Sequence, residues 1–200
     1  MKFNSKNLLV TGGAGFIGAN FINYFLDKYN DTNIINLDLL TYAGNLDNLK
    51  NINVNPKYKF IHGDICDNKL VNKIFSEYKI DGVINFAAET HVDNSITNPD
   101  KFIKTNINGV FNLINTAYKF WMDKPFRIKN KYSLARFHQI STDEVYGSID
   151  DGSFTEECKY YPNSPYSASK ASADMIIRSF NKTYGLNTTT SICSNNYGPY

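Results

Sequence analysis

Long apolar runs are absent from this sequence. None approaches the ~20 residues of a helical membrane span, so no membrane segment and no membrane partner is expected. Cysteine is scarce: Cys66, Cys158 and Cys193 are odd in number and far apart. That argues against a disulfide framework and for a reducing, cytoplasmic setting. The three histidines show no metal-ligand spacing, so no metal is expected. An excess of one charge is also lacking. Lys and Arg total 21 against 19 for Asp and Glu, a net charge of +2. Nothing therefore points to nucleic acid or an anionic surface. The one basic cluster, Lys124 to Arg136, reads as a solvated loop. No repeat or low-complexity tract appears. The first strand pattern follows Met1 closely, so no signal peptide is expected. What remains is 200 residues, 42% of them hydrophobic, enough for one domain over residues 1–200 with its own core.

The chain is organised around Asn7 to Gly18. Leu8, Leu9 and Val10 form a short apolar run, as a buried parallel strand would. Gly13, Gly15 and Gly18 then fit the Gly-x-Gly-x-x-Gly spacing, and a helical pattern follows with Ile17, Phe21, Tyr24 and Phe25 on one face. In such a turn one glycine permits the bend, the next lets backbone approach a pyrophosphate, and the third lets helix pack against strand. The pyrophosphate rests on the free N–H groups of the helix N-terminus. Asp38 stands 20 residues after Gly18, at the end of the apolar run Ile34, Ile35, Leu37. An acid there accepts from the adenosine ribose and repels a 2′-phosphate, which predicts NAD over NADP.

Further strands are expected at Asn33–Asp38, Tyr58–His62, Gly82–Phe86, Phe137–Ser141 and Thr188–Cys193. Helices are expected over Asn68–Tyr78, from Pro99 to Trp121, and from Ser164-Pro165 to Tyr184, where Gly185 stops the last one. In the second of these, Ile103, Ile107, Val110, Ile114, Ala117 and Trp121 form a helical stripe. Leu39–Leu49 and Lys124–Tyr132 read as connections. Strands alternating with helices predict an α/β fold, a doubly wound parallel sheet with right-handed crossovers. Ligands bind such sheets beyond the carboxyl ends of the strands. Gly12, Asp38, Asp64, Ala87, Thr142 and Asn195 all fall at those ends.

Tyr166 and Lys170 are four apart at a helix start, so they share a face. An ammonium beside a phenol lowers the phenol pKa and makes Tyr166 a base for a sugar hydroxyl. Asp143 and Glu144 are adjacent, just past a strand end. Dehydration needs an acid for a departing hydroxyl and a base for a carbon-bound proton, and two carboxyls of separated pKa supply both. His91 and His138 read as loop and sheet-face residues.

Together these features resemble the extended short-chain dehydrogenase/reductases and, within them, the dTDP-glucose 4,6-dehydratase family. The carrying segments are Thr11–Gly18, Leu40–Leu46, Gly63–Asp67, Phe86–Asp93, Ser141–Gly147, Ser164–Lys170 and Ser194–Tyr200. The Thr-Asp-Glu triplet at 142–144 is the most discriminating. The resemblance implies a Rossmann-type sheet, bound NAD as transient hydride carrier, and dTDP-glucose as substrate. It implies catalytic roles for Thr142, Asp143, Glu144, Tyr166 and Lys170. Around NAD it implies Gly12, Gly15, Phe16, Ile17, Gly18, Asp38, Leu39, Leu40, Thr41, Asp64, Ile65, Phe86, Ala87, Ala88, Glu89, Thr105 and Asn196, with Tyr166 and Lys170. Thr90, Thr142 and Asn195 would contact the sugar nucleotide. It also implies a homodimer built on helices at about 100–121 and 165–184. A C-terminal substrate lobe normal to the family is missing from these 200 residues, so an N-terminal part is expected. The alternatives are another nucleotide-sugar dehydratase or a 4-epimerase, or an inactive NAD-binding fragment. An epimerase has no need of Asp143 and Glu144.

Overall fold

The computed structural model describes residues 5–29 and 31–200. The start of the chain at Met1, on which the signal-peptide expectation bears, lies outside the described residues. Strand β1 (Asn7–Thr11) feeds helix α1 (Phe16–Lys28). Strand β2 (Asn33–Asp38) runs into a loop with a short turn of 3₁₀ helix at Leu46–Leu49, then β3 (Tyr58–His62), α2 (Asn68–Tyr78) and β4 (Gly82–Asn85). Two short helices, α3 (Val92–Thr97) and α4 (Pro99–Phe102), lead through a π-helical stretch, Ile103–Gly109, into α5 (Val110–Trp121). A small hairpin, β5 (Met122–Lys124) and β6 (Arg127–Ile128), precedes β7 (Arg136–Thr142), α6 (Pro165–Tyr184) and β8 (Thr188–Cys193).

The main sheet has six parallel strands in the order β3-β2-β1-β4-β7-β8. The order reverses between β1 and β4. That is the doubly wound Rossmann arrangement, whose binding crevice lies at the reversal. Strand alternation sends side chains to two apolar layers. Leu8, Val10 and Ile34 pack with Ala19, Ile22, Phe25 and Leu26 of α1. Leu9, Ile35, Val83 and Phe137 sit side by side across four strands and pack with α2, α5 and α6 on the other face. Two residues further along, on the same face, comes a polar row. Buried Thr11 donates to Asn85, and Asn85 donates to Gln139 at 2.9 Å. Each buried polar group there has a partner, as burial demands.

Helix ends follow the local sequence. Asp67 caps α2. Ser164 and Ser167 form a reciprocal capping box at the start of α6, Pro165 sits in the first turn, and Gly185 closes the helix at φ +69°.

Three local expectations are corrected. The buried face of α1 is Gly18, Ala19, Ile22, Phe25 and Leu26, not the stripe through Ile17 and Tyr24, both of which are exposed. The missing side chain of Gly18 draws that side of the helix onto the turn. The stripe expected from Ile103 is also displaced at its start. Ile103 is exposed, and Phe102, Asn106 and Gly109 face inward instead. The π stretch inserts extra backbone into the helical turn and shifts its phase. From Val110 onward the expected stripe holds, with Val110, Ile114, Ala117 and Trp121 buried. Finally, Lys124–Arg136 is not simply a solvated loop. It holds part of the hairpin, buries Tyr132, and sends Lys129 Nζ to the carbonyls of Lys119 and Phe120 at 3.0 and 2.9 Å, near the end of α5. A cation there offsets the negative end of the helix dipole.

Candidate active site

The turn between β1 and α1 is set by Gly12, at φ +69°. A side chain there would also meet the backbone nitrogen of Ala87 at 2.5 Å. The bend thus belongs to Gly12 rather than Gly13, whose added Cβ would instead strike the Asn36 side chain. An added Cβ on Gly18 would collide with the Gly12 carbonyl oxygen, so this glycine seats the helix on the turn. Gly15 differs. Its Cβ position meets only the Gly12 and Ala43 carbonyl oxygens, at 3.4 and 3.8 Å. Helix α1 starts there with no side-chain cap. Its leading N–H groups therefore need an outside acceptor, and the bare glycine leaves an anion room to approach.

Asp38 completes this half. It is buried, its Oδ2 accepts from the Ala14 N–H at 2.8 Å, and its Oδ1 accepts from the Leu40 N–H at 2.8 Å. Each oxygen keeps a lone pair for a further donor. A pyrophosphate-bearing dinucleotide with a free ribose diol fits these groups: pyrophosphate at Gly15 and the α1 N-terminus, diol at Asp38.

A cleft of about 640 Å³ opens at the carboxyl ends of the strands. It gathers the glycine turn, Asp38, Leu39 and Thr41, Asp64 and Ile65, Phe86 through Thr90, Thr105, and Asn195 with Asn196. Thr142, Glu144, Tyr166 and Lys170 join them there. Of the residues expected at the site, Leu40 and Asp143 do not line it. Leu40 packs on the α1 core at φ +53°, and only its N–H serves the site, through Asp38. Asp143 sits in the short helical turn Asp143–Tyr146, its Oδ1 3.4 Å from the Thr142 hydroxyl that donates to it.

Lining residues outside the expected set include Tyr42, His91 and Cys193. Tyr42 bonds Thr90 through its hydroxyl at 3.1 Å and packs at a tilt against His91, with ring centroids 5.9 Å apart. His91 holds a positive φ of 69° at the start of α3 and faces the cleft. Cys193 closes the end of β8. One supporting residue was also missed. Asn106 is buried in the π stretch, accepts from Glu89 N–H at 2.8 Å, and donates to the Glu89 carbonyl at 3.0 Å and to Ser169 at 2.9 Å. A polar residue next to Thr105 was the available signal; its inward aim depends on the phase shift.

The candidate reactive cluster lies where β7 meets α6. Tyr166 packs edge-on against Phe102. Burial, then the nearby charge of Glu144, push its phenol up to about 12, while a hydrogen bond with Thr142 acts the other way. This is opposite to the direction expected from Lys170. Lys170 is fully buried, donates from Nζ to the Ile140 carbonyl at 2.6 Å, and is drawn down to about 8 by that burial. Asp174 opposes the fall. Glu144 is raised above the usual carboxylate range by desolvation and by Asp143. A raised carboxyl beside a phenol and an ammonium is equipped to move protons on and off a bound hydroxyl compound. His138 is held in the sheet by Thr189 and Ser191, at 2.8 and 3.0 Å, and burial lowers its pKa. Among the described residues, no group of three or more His, Cys, Asp or Glu could hold a metal ion, and no helix is long and apolar enough to cross a membrane.

Known proteins share this arrangement. A dTDP-glucose 4,6-dehydratase of Neisseria meningitidis serogroup B is 48% identical over 197 residues, covering 98% of this chain and 54% of that protein. The dTDP-glucose 4,6-dehydratase of Bacillus anthracis, solved in complex with NAD, superposes with a TM-score of 0.81 at 46% identity, over 98% of this chain and 56% of that one. The Streptomyces venezuelae dTDP-glucose 4,6-dehydratase, solved with NAD bound, gives 0.85 at 44% identity, over 97% and 57%. The chain thus spans about half the length of the curated relatives it matches. Residues 9–200 match the family model described as GDP-mannose 4,6 dehydratase, and the chain belongs to that family.

Proposed function

We propose that this chain is the NAD-binding and catalytic half, residues 1–200, of a dTDP-glucose 4,6-dehydratase. The observation that carries the reading is one cleft holding the glycine turn, Asp38, Thr142, Glu144, Tyr166 and Lys170 together. The names of the relatives support dTDP-glucose as substrate and NAD as cofactor.

When bound, NAD would supply the hydride acceptor for carbon 4 of the sugar and the donor for carbon 6, so the reaction has no net redox change. Gly12, Gly15, Phe16, Ile17, Gly18 and Asp38 hold its adenosine and pyrophosphate end. Tyr166 takes the proton of the sugar 4-hydroxyl, and Thr142 orients that oxygen. Lys170 bonds the nicotinamide ribose and supplies positive charge. A keto group at carbon 4 acidifies the proton on carbon 5, and Glu144 removes it. Asp143 protonates the departing 6-hydroxyl, reaching the substrate from beside Thr142. General acid help of this kind is worth ~100 to 10,000-fold. Thr90 and Asn195 contact the sugar nucleotide, and Asn196 the cofactor.

One partner and one localisation belong to the same reading. The protein forms a homodimer through the helices around α5 and α6, which leave Ile103, Phe111 and Met175 nearly half exposed. It works in the cytoplasm, in keeping with three free cysteines.

The test is incubation with dTDP-glucose and NAD, following loss of one water from the sugar nucleotide by mass spectrometry. Formation of the 4-keto-6-deoxy product supports the dehydratase. NAD binding without product leaves the non-catalytic NAD-binding reading in its place.

A further inference from the structure

Three consecutive residues at the end of β7 each hold one residue of α6. Thr142 hydrogen-bonds the Tyr166 phenol, Ile140 accepts from Lys170 at 2.6 Å, and Ser141 donates to Asp174 Oδ2. On α6 those partners are spaced four apart, so they form one stripe along the helix. The first two line the cleft and the third does not. Asp174 is 5% exposed and also accepts from the Tyr160 hydroxyl at 3.1 Å. Its other oxygen, Oδ1, is buried with no hydrogen-bond partner among the described residues.

A buried carboxylate with an unpartnered oxygen is costly unless a cation stands near it. One turn back on the same helix is Lys170, whose three donors have one acceptor among the described residues, the Ile140 carbonyl. Lys170 and Asp174 lie one turn apart on one helix face and are not in ion-pair contact, so their charges act on each other through space. We propose that Asp174 is a positioning residue: it locks Ser141, and with it the end of β7, onto α6, and its charge keeps the buried Lys170 ammonium protonated beside the cleft. This rests on the reading of Tyr166 and Lys170 as the reactive pair.

The surroundings agree. Lys170 is drawn down by burial; the charges that hold it up are Asp174 on its own helix and Cys193 from β8. Asp174 is pushed up by burial and pulled back by Ser141, Lys170 and Tyr160, while Tyr146 also feels its charge. Without Asp174 the ammonium would keep only the Ile140 carbonyl and the Cys193 sulfur against its desolvation.

The experiment labels lysine at Cε with ¹³C and titrates the Lys170 resonance, identified by its loss in Lys170→Arg. In Asp174→Asn the shape and the acceptor for Ser141 remain and the charge goes. The Lys170 midpoint should fall by about one pH unit or more, and Asp174→Glu should restore most of it. A midpoint unmoved in a folded Asp174→Asn chain overturns the proposal. A purely structural role for Asp174 would lower the melting temperature without moving that midpoint. If Asp174→Asn does not fold, the ¹³Cγ resonance of Asp174 is followed in the unmutated chain. The proposal requires an ionised carboxylate at pH 7 whose signal shifts again as Lys170 loses its proton; a protonated carboxyl at pH 7 overturns it. Both readings concern protons on this chain, so they succeed or fail whether or not the protein turns over a sugar nucleotide.

Discussion

Asp38 and Ala14 are joined by a 2.8 Å hydrogen bond from the Ala14 N–H to Asp38 Oδ2, so the acid that ends β2 also braces the turn that ends β1. Binding and local folding are therefore linked at this residue. Asp38→Ala should weaken NAD by roughly ten- to a hundredfold, since hydrogen bonds to a charged group are worth about 1.5–3 kcal/mol. It should also narrow the preference for NAD over NADP. Titration calorimetry with both cofactors decides the point, and equal affinities in the unmutated chain would sink the assignment of Asp38.

The glycine turn allows a second prediction. Gly18→Ala puts a methyl against the Gly12 carbonyl, where backbone would have to move. Overpacking of that kind costs about 1–3 kcal/mol, read as a lower midpoint in urea. Gly15→Ala meets only carbonyl oxygens at 3.4 and 3.8 Å. It should leave stability nearly intact while cutting dinucleotide affinity, because the methyl occupies the approach to the α1 N-terminus. Similar urea midpoints for the two variants would count against this division.

Oxidation and elimination should separate by mutation. With dTDP-glucose present, Tyr166→Phe should leave the cofactor oxidised. Glu144→Gln should let reduced nicotinamide accumulate, and Asp143→Asn should slow water loss. Absorbance of reduced nicotinamide reads all three. The same redox state in Tyr166→Phe and Glu144→Gln would defeat the assignment. Because desolvation and Asp143 raise Glu144, the acid limb of the rate profile should lie above the ordinary carboxylate range.

Stability should depend on pH in a way that exposes Lys170. Its folded value of about 8 lies below the ordinary 10.5, so the unfolded chain binds more protons between those values and stability rises with pH there. Cys66 opposes this: burial first, then Asp64, push it up to about 12 from 9.0, and stability falls as the unfolded thiol ionises. In Cys66→Ala, stability should therefore rise between pH 8 and about 9, before the buried tyrosines, among them Tyr166 at about 12, oppose the rise as their unfolded phenols ionise. Urea denaturation across that range tests it, and a flat profile would refute the burial of a charged Lys170.

The architecture was legible because its signals are local. Leu8–Val10, the Asn33–Asp38 run, the Ser164-Pro165 start and the Gly185 stop each state their element without reference to the rest of the chain. The cleft was legible for the same reason, since strand ends converge in a doubly wound sheet. What sequence could not supply was phase and aim. Gly12 and Gly13 are indistinguishable until Ala87 is seen against one of them. Leu40 and Asp143 belong to motif segments yet do not themselves line the cleft. The ordinary i, i+4 rule gives Tyr166 and Lys170 a common face, but not that Lys170 would be spent on the Ile140 carbonyl.

The π-helical stretch at Ile103–Gly109 is a phase shifter in an otherwise continuous rod. An α-helix advances about 100° per residue, so the inserted backbone lets the same helix present Asn106 to the Glu89 loop and, further along, Ala117 and Trp121 to the core. A one-residue deletion within it would restore a regular ladder and turn Asn106 away, releasing the Glu89 backbone from both of its bonds. The helix would be locally more regular and the cleft less well formed. Sequence drift here is therefore constrained in length as well as in residue type, and an insertion elsewhere in α5 could not make good the loss.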